Sequence, residues 1–132
     1  MTIQYNATHR NNDMTDIVTQ AGTTAYLLIY SGAAPASCAA AATGTLLAAL
    51  PMSNPVGTVT GGVLTMSTIT SEAAAAAGTA GYWRICTDNT GTTCVAQGTV
   101  GTTGADLNFP STSFTAGETI SVSSFTITAN GA

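Results

Sequence analysis

This sequence has almost no charged residues and contains no lysine. Charged residues make up 6% of the 132 positions, against about 25% in typical soluble proteins. The two basic residues are Arg10 and Arg84, and two cations cannot neutralise a track of phosphates. We therefore expect no nucleic-acid partner. A poorly charged surface favours association, which suits a protein that works inside an assembly.

Long apolar runs are also missing. No run approaches the roughly 20 residues that span a bilayer, so we expect no membrane contact. Residues 1–12 have neither the basic start nor the apolar core of a signal peptide, and we expect synthesis in the cytoplasm. Three cysteines do not make a closed disulfide framework, and in a reducing cytosol they begin as free thiols.

Patterns of catalytic and metal-binding residues are absent as well. His9 is the one histidine, no G-x-S-x-G motif occurs, and we interpret His9 as a solvated helix residue. Asp13 and Asp16 lie three apart on one predicted helix face, and we interpret them as charges that complement the helix dipole rather than as a metal pair. The glycine-rich residues 98–104 lack a lysine at Walker spacing and predict turns. We expect no enzyme activity, no cofactor and no metal site.

The residues that are abundant are small: 26 threonines, 23 alanines and 14 glycines. Residues 1–8 show no periodicity and predict an extended arm. Apolar residues then recur at helical spacing, which predicts a helix over 9–21 that ends at Gly22, so that residues 9–22 form one helical segment. The apolar residues of that helix are Met14, Ile17, Val18 and Ala21.

From residue 23 onward, short apolar or alternating runs are separated by Gly, Pro, Asn and Ser. The predicted strands are 25–30, 45–50, 63–70, 79–87, 92–100, 105–109, 112–115 and 119–129. Residues 71–78 are either a short helical turn or a loop. Strands at a spacing of roughly 8–12 residues favour an antiparallel β-sandwich or jelly roll. We therefore expect one domain over 1–132, mostly β, with a β-sandwich of jelly-roll type over 23–132 and one short N-terminal helix before it.

The alternation also predicts which side chains fill the core. They are Leu28, Leu47, Leu64, Trp83, Ile85, Val95, Ile120, Val122, Phe125 and Ile127. In a regular final strand, Ile120 and Val122 would point to the face opposite Phe125 and Ile127. A bulge at Ser123 and Ser124 would return all four side chains to the core.

Cys86 and Cys94 flank the predicted hairpin turn at residues 88–91 and fall opposite each other across it. Two readings are open for this pair. The two residues are either small facing side chains or a candidate disulfide that closes after the cell lyses.

Arg84 falls on the strand face opposite Trp83 and Ile85. We interpret Arg84 as a surface residue that forms an ordinary ion pair with Asp88 or Asp106, rather than as a binding anchor. Such a surface ion pair contributes little to stability.

The succession of strands resembles a known protein family. The most specific parts are the YWRI strand at 82–85, the GTVGTTGADL stretch at 98–107 and the closing TSFTAGETISVSSFTIT. Over about residues 24–129, the chain resembles the small capsid decoration (cement) proteins of tailed phages, which have a jelly-roll domain. The resemblance implies a structural role at capsomer junctions on the outer capsid surface, with no catalytic residues to carry over.

The resemblance implies two partners: the major capsid protein, and further copies of this chain in a dimer or trimer. It also implies that the protein is made in the host cytoplasm and ends up in the virion. The N-terminal arm is the candidate capsid contact, with Thr2, Ile3, Gln4, Tyr5 and Asn6. The alternative is a tail, fibre or carbohydrate-binding module of a phage, because jelly rolls also serve as lectins.

Overall fold

The computed structural model describes residues 3–132. It is mostly β, with 38% of residues in strands and one short N-terminal helix. The helix is α1, Ala7–Ala21. The strands are β1 Tyr26–Ser31, β2 Leu46–Pro51, β3 Gly57–Thr60, β4 Val63–Met66, β5 Glu72–Ala73, β6 Gly78–Cys86, β7 Cys94–Gly101, β8 Leu107–Asn108, β9 Ser113–Phe114, β10 Thr119–Ile120 and β11 Thr126–Thr128.

The strands form three sheets. The main sheet has the order β2-β1-β6-β7-β8, and β9 also pairs with β6. A three-stranded sheet has the order β11-β4-β3, and β10 pairs with β5. Within residues 3–132, every strand pair is antiparallel apart from β7 and β8, which run parallel.

Helix α1 begins two residues earlier than the sequence pattern predicts. The side chain of Asn6 accepts a hydrogen bond from the backbone N–H of His9 at 2.8 Å, so Asn6 is the N-cap. The helix ends at Gly22, as predicted, with a φ of 71° that glycine adopts without strain. The predicted arm over 1–8 is therefore too long: residues 7 and 8 are helical, and its described part outside the helix is residues 3–6.

The two central strands of the main sheet are buried on both faces. Leu27 and Ile29 of β1 pack into the main core together with Trp83 and Ile85 of β6. Their neighbours Leu28, Tyr30, Tyr82 and Cys86 form a second buried cluster on the other face. A run as continuously apolar as residues 25–30 has no solvent-facing side, which explains why both faces need a cover.

The predicted core is largely confirmed. Seven of the ten predicted side chains are buried: Leu28, Leu47, Leu64, Trp83, Ile85, Ile120 and Phe125. The other three are partly buried and pack against the main core: Val95, Val122 and Ile127.

The predicted single strand over 119–129 is wrong. It is divided into β10, which pairs with β5, and β11, which pairs with β4. The phase change is therefore not a bulge at Ser123 and Ser124. It marks the segment where the chain passes from one sheet to another, and for that reason Ile120 and Phe125 are both buried.

Glycine conceals one strand from the sequence pattern and misassigns part of another. Strand β3, Gly57–Thr60, lies where Pro and Gly predicted only turns. Gly98 lies within β7, inside the predicted strand over 92–100 and not in the turn that the glycine-rich residues 98–104 predicted. A Cβ at Gly98 would lie 2.6 Å from Cζ2 of Trp83, so this glycine allows the indole ring to lie against the backbone of the neighbouring strand.

Candidate functional site

The loop of residues 32–44 (the 32–44 loop) lies over the second face of the main sheet. The hydroxyl of Tyr82 donates to the carbonyl of Thr43 at 2.6 Å and accepts from the Thr43 N–H at 2.9 Å. The side-chain amide of Gln97 donates to the carbonyl of Pro35 at 2.8 Å. Strands β6 and β7 therefore hold the loop through hydrogen bonds at both of its ends.

A disulfide also joins this loop to the sheet. Cys38 is bonded to Cys94, with their Cα atoms 5.4 Å apart. Cys86 and Cys94 do face each other across the β6–β7 ladder, as predicted. The candidate Cys86–Cys94 disulfide is nevertheless wrong for this structure, because the 32–44 loop brings Cys38 to Cys94 and leaves Cys86 as a buried free thiol. Burial raises the pKa of the Cys86 thiol, and the nearby Arg84 opposes that rise in part.

Arg84 is also placed differently from the prediction. It is 1% exposed, and its guanidinium donates to Gln97 Oε1 at 3.1 Å and to the carbonyls of Ser37 and Ala40 at 3.3 and 2.8 Å. The predicted ion pair with Asp88 or Asp106 is wrong, since among residues 3–132 no carboxylate lies within 4.0 Å of Arg84. The 32–44 loop turns a predicted surface cation into a buried one.

Asp88 and Asp106 are held by local hydrogen bonds instead. Asp106 accepts from the N–H of Thr99 at 2.9 Å. Asp88 accepts from the hydroxyl and the N–H of Thr90 at 2.6 and 3.0 Å. These hydrogen bonds, that of the Thr90 hydroxyl foremost, lower the pKa of the Asp88 carboxyl. Both carboxylates thus stabilise turns of the main sheet.

The N-terminal segment carries the most exposed large apolar side chains in the described part of the chain. Ile3 is 68% exposed and Tyr5 is 43% exposed, and Gln4 and Asn6 are exposed beside them. The predicted contact Thr2 lies outside the described residues. The N–H of Tyr5 donates to the carbonyl of Gly131 at 2.6 Å, and the carbonyl of Tyr5 accepts from Arg10 at 3.2 Å. Tyr5 therefore fixes the segment to the body, and Ile3 extends beyond that point.

The three-stranded sheet presents threonine to solvent. Thr58, Thr65 and Thr126 are direct neighbours across the three strands, and all three are exposed. The other face packs Leu64, Val59 and Ile127 against α1. The outer face (the threonine face) is therefore a row of hydroxyl and methyl groups without charge.

His9 is exposed, as predicted. Asp13 and Asp16 are exposed as well, but they lie beyond the first turn of α1, which contains no acidic residue. The prediction that they complement the helix dipole is therefore wrong, because that effect is confined to the first turn. Nε2 of His9 lies 3.5 Å from Oδ2 of Asp13, with both side chains about half exposed, and Asp16 accepts a hydrogen bond from Gln20. No cluster of three or more metal-ligating side chains occurs in residues 3–132. In the same part of the chain, no helix is long and apolar enough to cross a membrane.

A comparison of this chain with protein-family models, curated proteins and solved structures returns no match.

Proposed function

We propose that this chain is a structural virion protein that binds the outer surface of a tailed-phage capsid and stabilises the shell at capsomer junctions. It does so as a dimer or trimer bound to the major capsid protein, with its sheets arranged as a sandwich of jelly-roll type. The proposal rests on the sequence resemblance and on one structural observation, the exposed apolar N-terminal segment.

The N-terminal segment fits attachment to a neighbouring protein. Ile3 is 68% exposed, and burial of an exposed isoleucine contributes about 1.5–3 kcal/mol. One such contact is weak, and ordering the segment costs conformational entropy. An oligomer presents several copies of the segment to a fixed lattice, so the binding energies of the copies reinforce one another.

The remaining surface supports a contact that does not depend on charge. The chain has two basic and six acidic residues, and one of the two basic residues, Arg84, is buried. The exposed threonine face offers methyl groups for burial and hydroxyls for hydrogen bonds. A capsid contact made by this protein is therefore apolar and hydrogen-bonded.

The aromatic side chains favour the shell over the alternative carbohydrate-binding module. Six of the eight aromatic residues are buried: Tyr30, Tyr82, Trp83, Phe109, Phe114 and Phe125. Sugar binding needs exposed rings together with polar groups in one cleft. The indole of Trp83 has 3% exposure, which leaves no open ring face on which a sugar could stack.

The direct test is to locate and count the protein in purified particles. Quantitative mass spectrometry of separated heads and tails should find hundreds of copies on heads, in a fixed ratio to the major capsid protein. Absence from heads, or a few copies on tails only, would overturn the capsid assignment.

The N-terminal contact is tested with substitutions at one position. Ile3→Ser should weaken attachment to bare capsids by roughly tenfold or more, since it removes most of the apolar burial. Ile3→Val is the matched control and should bind nearly as well as the unmodified protein. Neither change touches Asn6, so α1 keeps its cap. Equal binding by both variants would contradict a role for the segment.

A further inference from the structure

Arg84 is a buried cation that has no anion beside it. Its Nε and Nη2 donate to Gln97 and to two carbonyls of the 32–44 loop, those of Ser37 and Ala40. These acceptors are neutral, and among residues 3–132 no carboxylate comes within 4.0 Å. Burying a charge is unfavourable unless a counter-charge compensates it. Carbonyl dipoles supply part of that compensation, but residues 3–132 place no full negative charge against the guanidinium.

The third nitrogen of the guanidinium has no protein partner. Nη1 of Arg84 donates to no acceptor in the described part of the chain. In that same part, Nε1 of Trp83 is the one fully buried side-chain polar atom without a partner. Nη1 therefore still meets solvent, although the residue as a whole is 1% exposed. Its two N–H groups are the free donors of an otherwise satisfied guanidinium.

A cavity that opens to solvent lies beside Arg84. The cavity has a volume of about 450 Å³ and is lined by Arg84, by residues 38–42 of the 32–44 loop and by residues 90–92 of the β6–β7 turn. It is much larger than the roughly 30 Å³ that one water occupies in the liquid. The disulfide between Cys38 and Cys94 fixes one wall against the sheet.

The other titratable groups near the cavity do not supply the missing anion. The carboxylate of Asp88 is ionised and accepts from the hydroxyl and N–H of Thr90, but it does not come within 4.0 Å of the Arg84 guanidinium. The thiol of Cys86 and the phenol of Tyr30 are buried, and burial holds the pKa of each above its ordinary value, so both groups are neutral near pH 7.

We propose that this cavity binds a carboxylate, whose oxygen accepts from Nη1 of Arg84. One guanidinium matches one negative charge. Phosphate and sulfate carry more charge and are disfavoured because the site has a single cation and the chain a net charge of −4. The carboxylate belongs either to a small organic acid or to the acidic side chain of a bound protein.

The two arginines of the chain make a direct test practical. Each arginine gives one side-chain Nε–H signal in a ¹⁵N NMR spectrum, and Arg10→Gln identifies which signal is that of Arg84. Sodium acetate, titrated against sodium chloride at equal ionic strength and pH 7, should shift the Arg84 signal and the amides of residues 40–42 in a saturable way. The Arg10 signal should not move. If acetate moves the Arg84 signal no more than chloride does, the cavity holds water only and the proposal is wrong.

Two further ligands distinguish a protein side chain from a small organic acid, and a carboxylate from a more highly charged anion. A peptide with one glutamate side chain and blocked termini should bind at least tenfold more tightly than acetate if the ligand belongs to a protein, and more weakly if it is a small acid. Sodium phosphate should bind more weakly than both carboxylates. Tighter binding of phosphate would overturn the assignment to a carboxylate.

Variants show whether the NMR shift caused by acetate reports binding in this cavity. Arg84→Gln removes the charge and should abolish binding, although it also removes loop contacts that the fold needs. Ala41→Leu keeps Arg84 and fills the cavity from an exposed position on its wall, and should weaken acetate binding at least tenfold. Ala116→Leu, at an exposed turn outside the cavity, is the matched control. Unchanged acetate binding by folded Ala41→Leu would place the ligand elsewhere and contradict the proposal.

Discussion

The main sheet and the three-stranded sheet differ in what covers their second face. On the main sheet, the 32–44 loop covers Leu28, Tyr82 and Cys86, and both faces are buried. On the three-stranded sheet, α1 covers one face, and threonines, including Thr65, meet solvent on the other. The main sheet carries continuous apolar runs, and the three-stranded sheet alternates threonine with apolar residues. A continuous apolar run therefore requires a second cover, whereas alternation leaves one face of a sheet free for a partner.

The largest loss of stability should follow truncation at the centre of the main sheet. Trp83 is 3% exposed and packs edge-on against Phe125 with ring centroids 4.9 Å apart. Trp83→Ala should lower the free energy of unfolding by about 3–5 kcal/mol, because it leaves a large cavity. A denaturant melt followed by circular dichroism measures this. A loss below about 1 kcal/mol would contradict the burial of the ring.

Release of the 32–44 loop should have the next largest effect. The disulfide joins residues 56 apart in sequence, so it restricts the unfolded chain strongly. In a Cys86→Ala background, where Cys94 has no second cysteine to bond, Cys38→Ser should cost about 2–4 kcal/mol. The Cys86→Ala protein alone is the control. Equal stability of the two proteins under oxidising conditions would show that the disulfide does not hold the cover in place.

The hydrogen bonds between the sheet and its cover should contribute less. Tyr82→Phe removes the hydroxyl that both donates to and accepts from Thr43. The expected loss is about 1–2 kcal/mol, since the Thr43 groups lose a partner at a partly buried site. Tyr26→Phe on the same face is the control and should be close to neutral. If the two variants prove equally stable, the Tyr82 contact does not anchor the loop.

The smallest effect should occur on the open face. Thr65 lies in the middle strand of the threonine face and is exposed, so Thr65→Val should change stability by no more than about 0.5 kcal/mol. A loss above about 2 kcal/mol in the same melt would mean that this face is covered by another part of the protein or by a second copy, and the contrast between the sheets would fail.

Local patterns predicted most of the strands of the main sheet but not what covers them. The apolar run of residues 25–30 and the hairpin around residues 88–91 lie close to where the alternation and the turn signal predicted them. The N-cap Asn6 was missed, although Asn followed closely by a helical pattern is a known start signal. That signal places the start of α1 at residue 7.

The candidate sites depended on contacts that no local pattern contains. The pattern of its own strand predicts that Arg84 lies on the surface. It is buried because the 32–44 loop, whose Ser37 and Ala40 carbonyls accept from it, packs over it. Cys38 likewise reaches Cys94 from 56 residues away. A glycine, alanine, serine and proline loop carries no periodicity that indicates where it packs, so the cover of the main sheet was not predictable from the sequence.

The measurement that tests the account most directly is the salt dependence of attachment. If apolar and hydrogen-bonding contacts bind the protein to the capsid, as we propose, salt should not release it. Particles pelleted from about 1 M NaCl, where screening leaves a Debye length near 3 Å, should retain the protein at the same ratio as particles in low salt. Release of the protein by salt alone would contradict a non-ionic attachment.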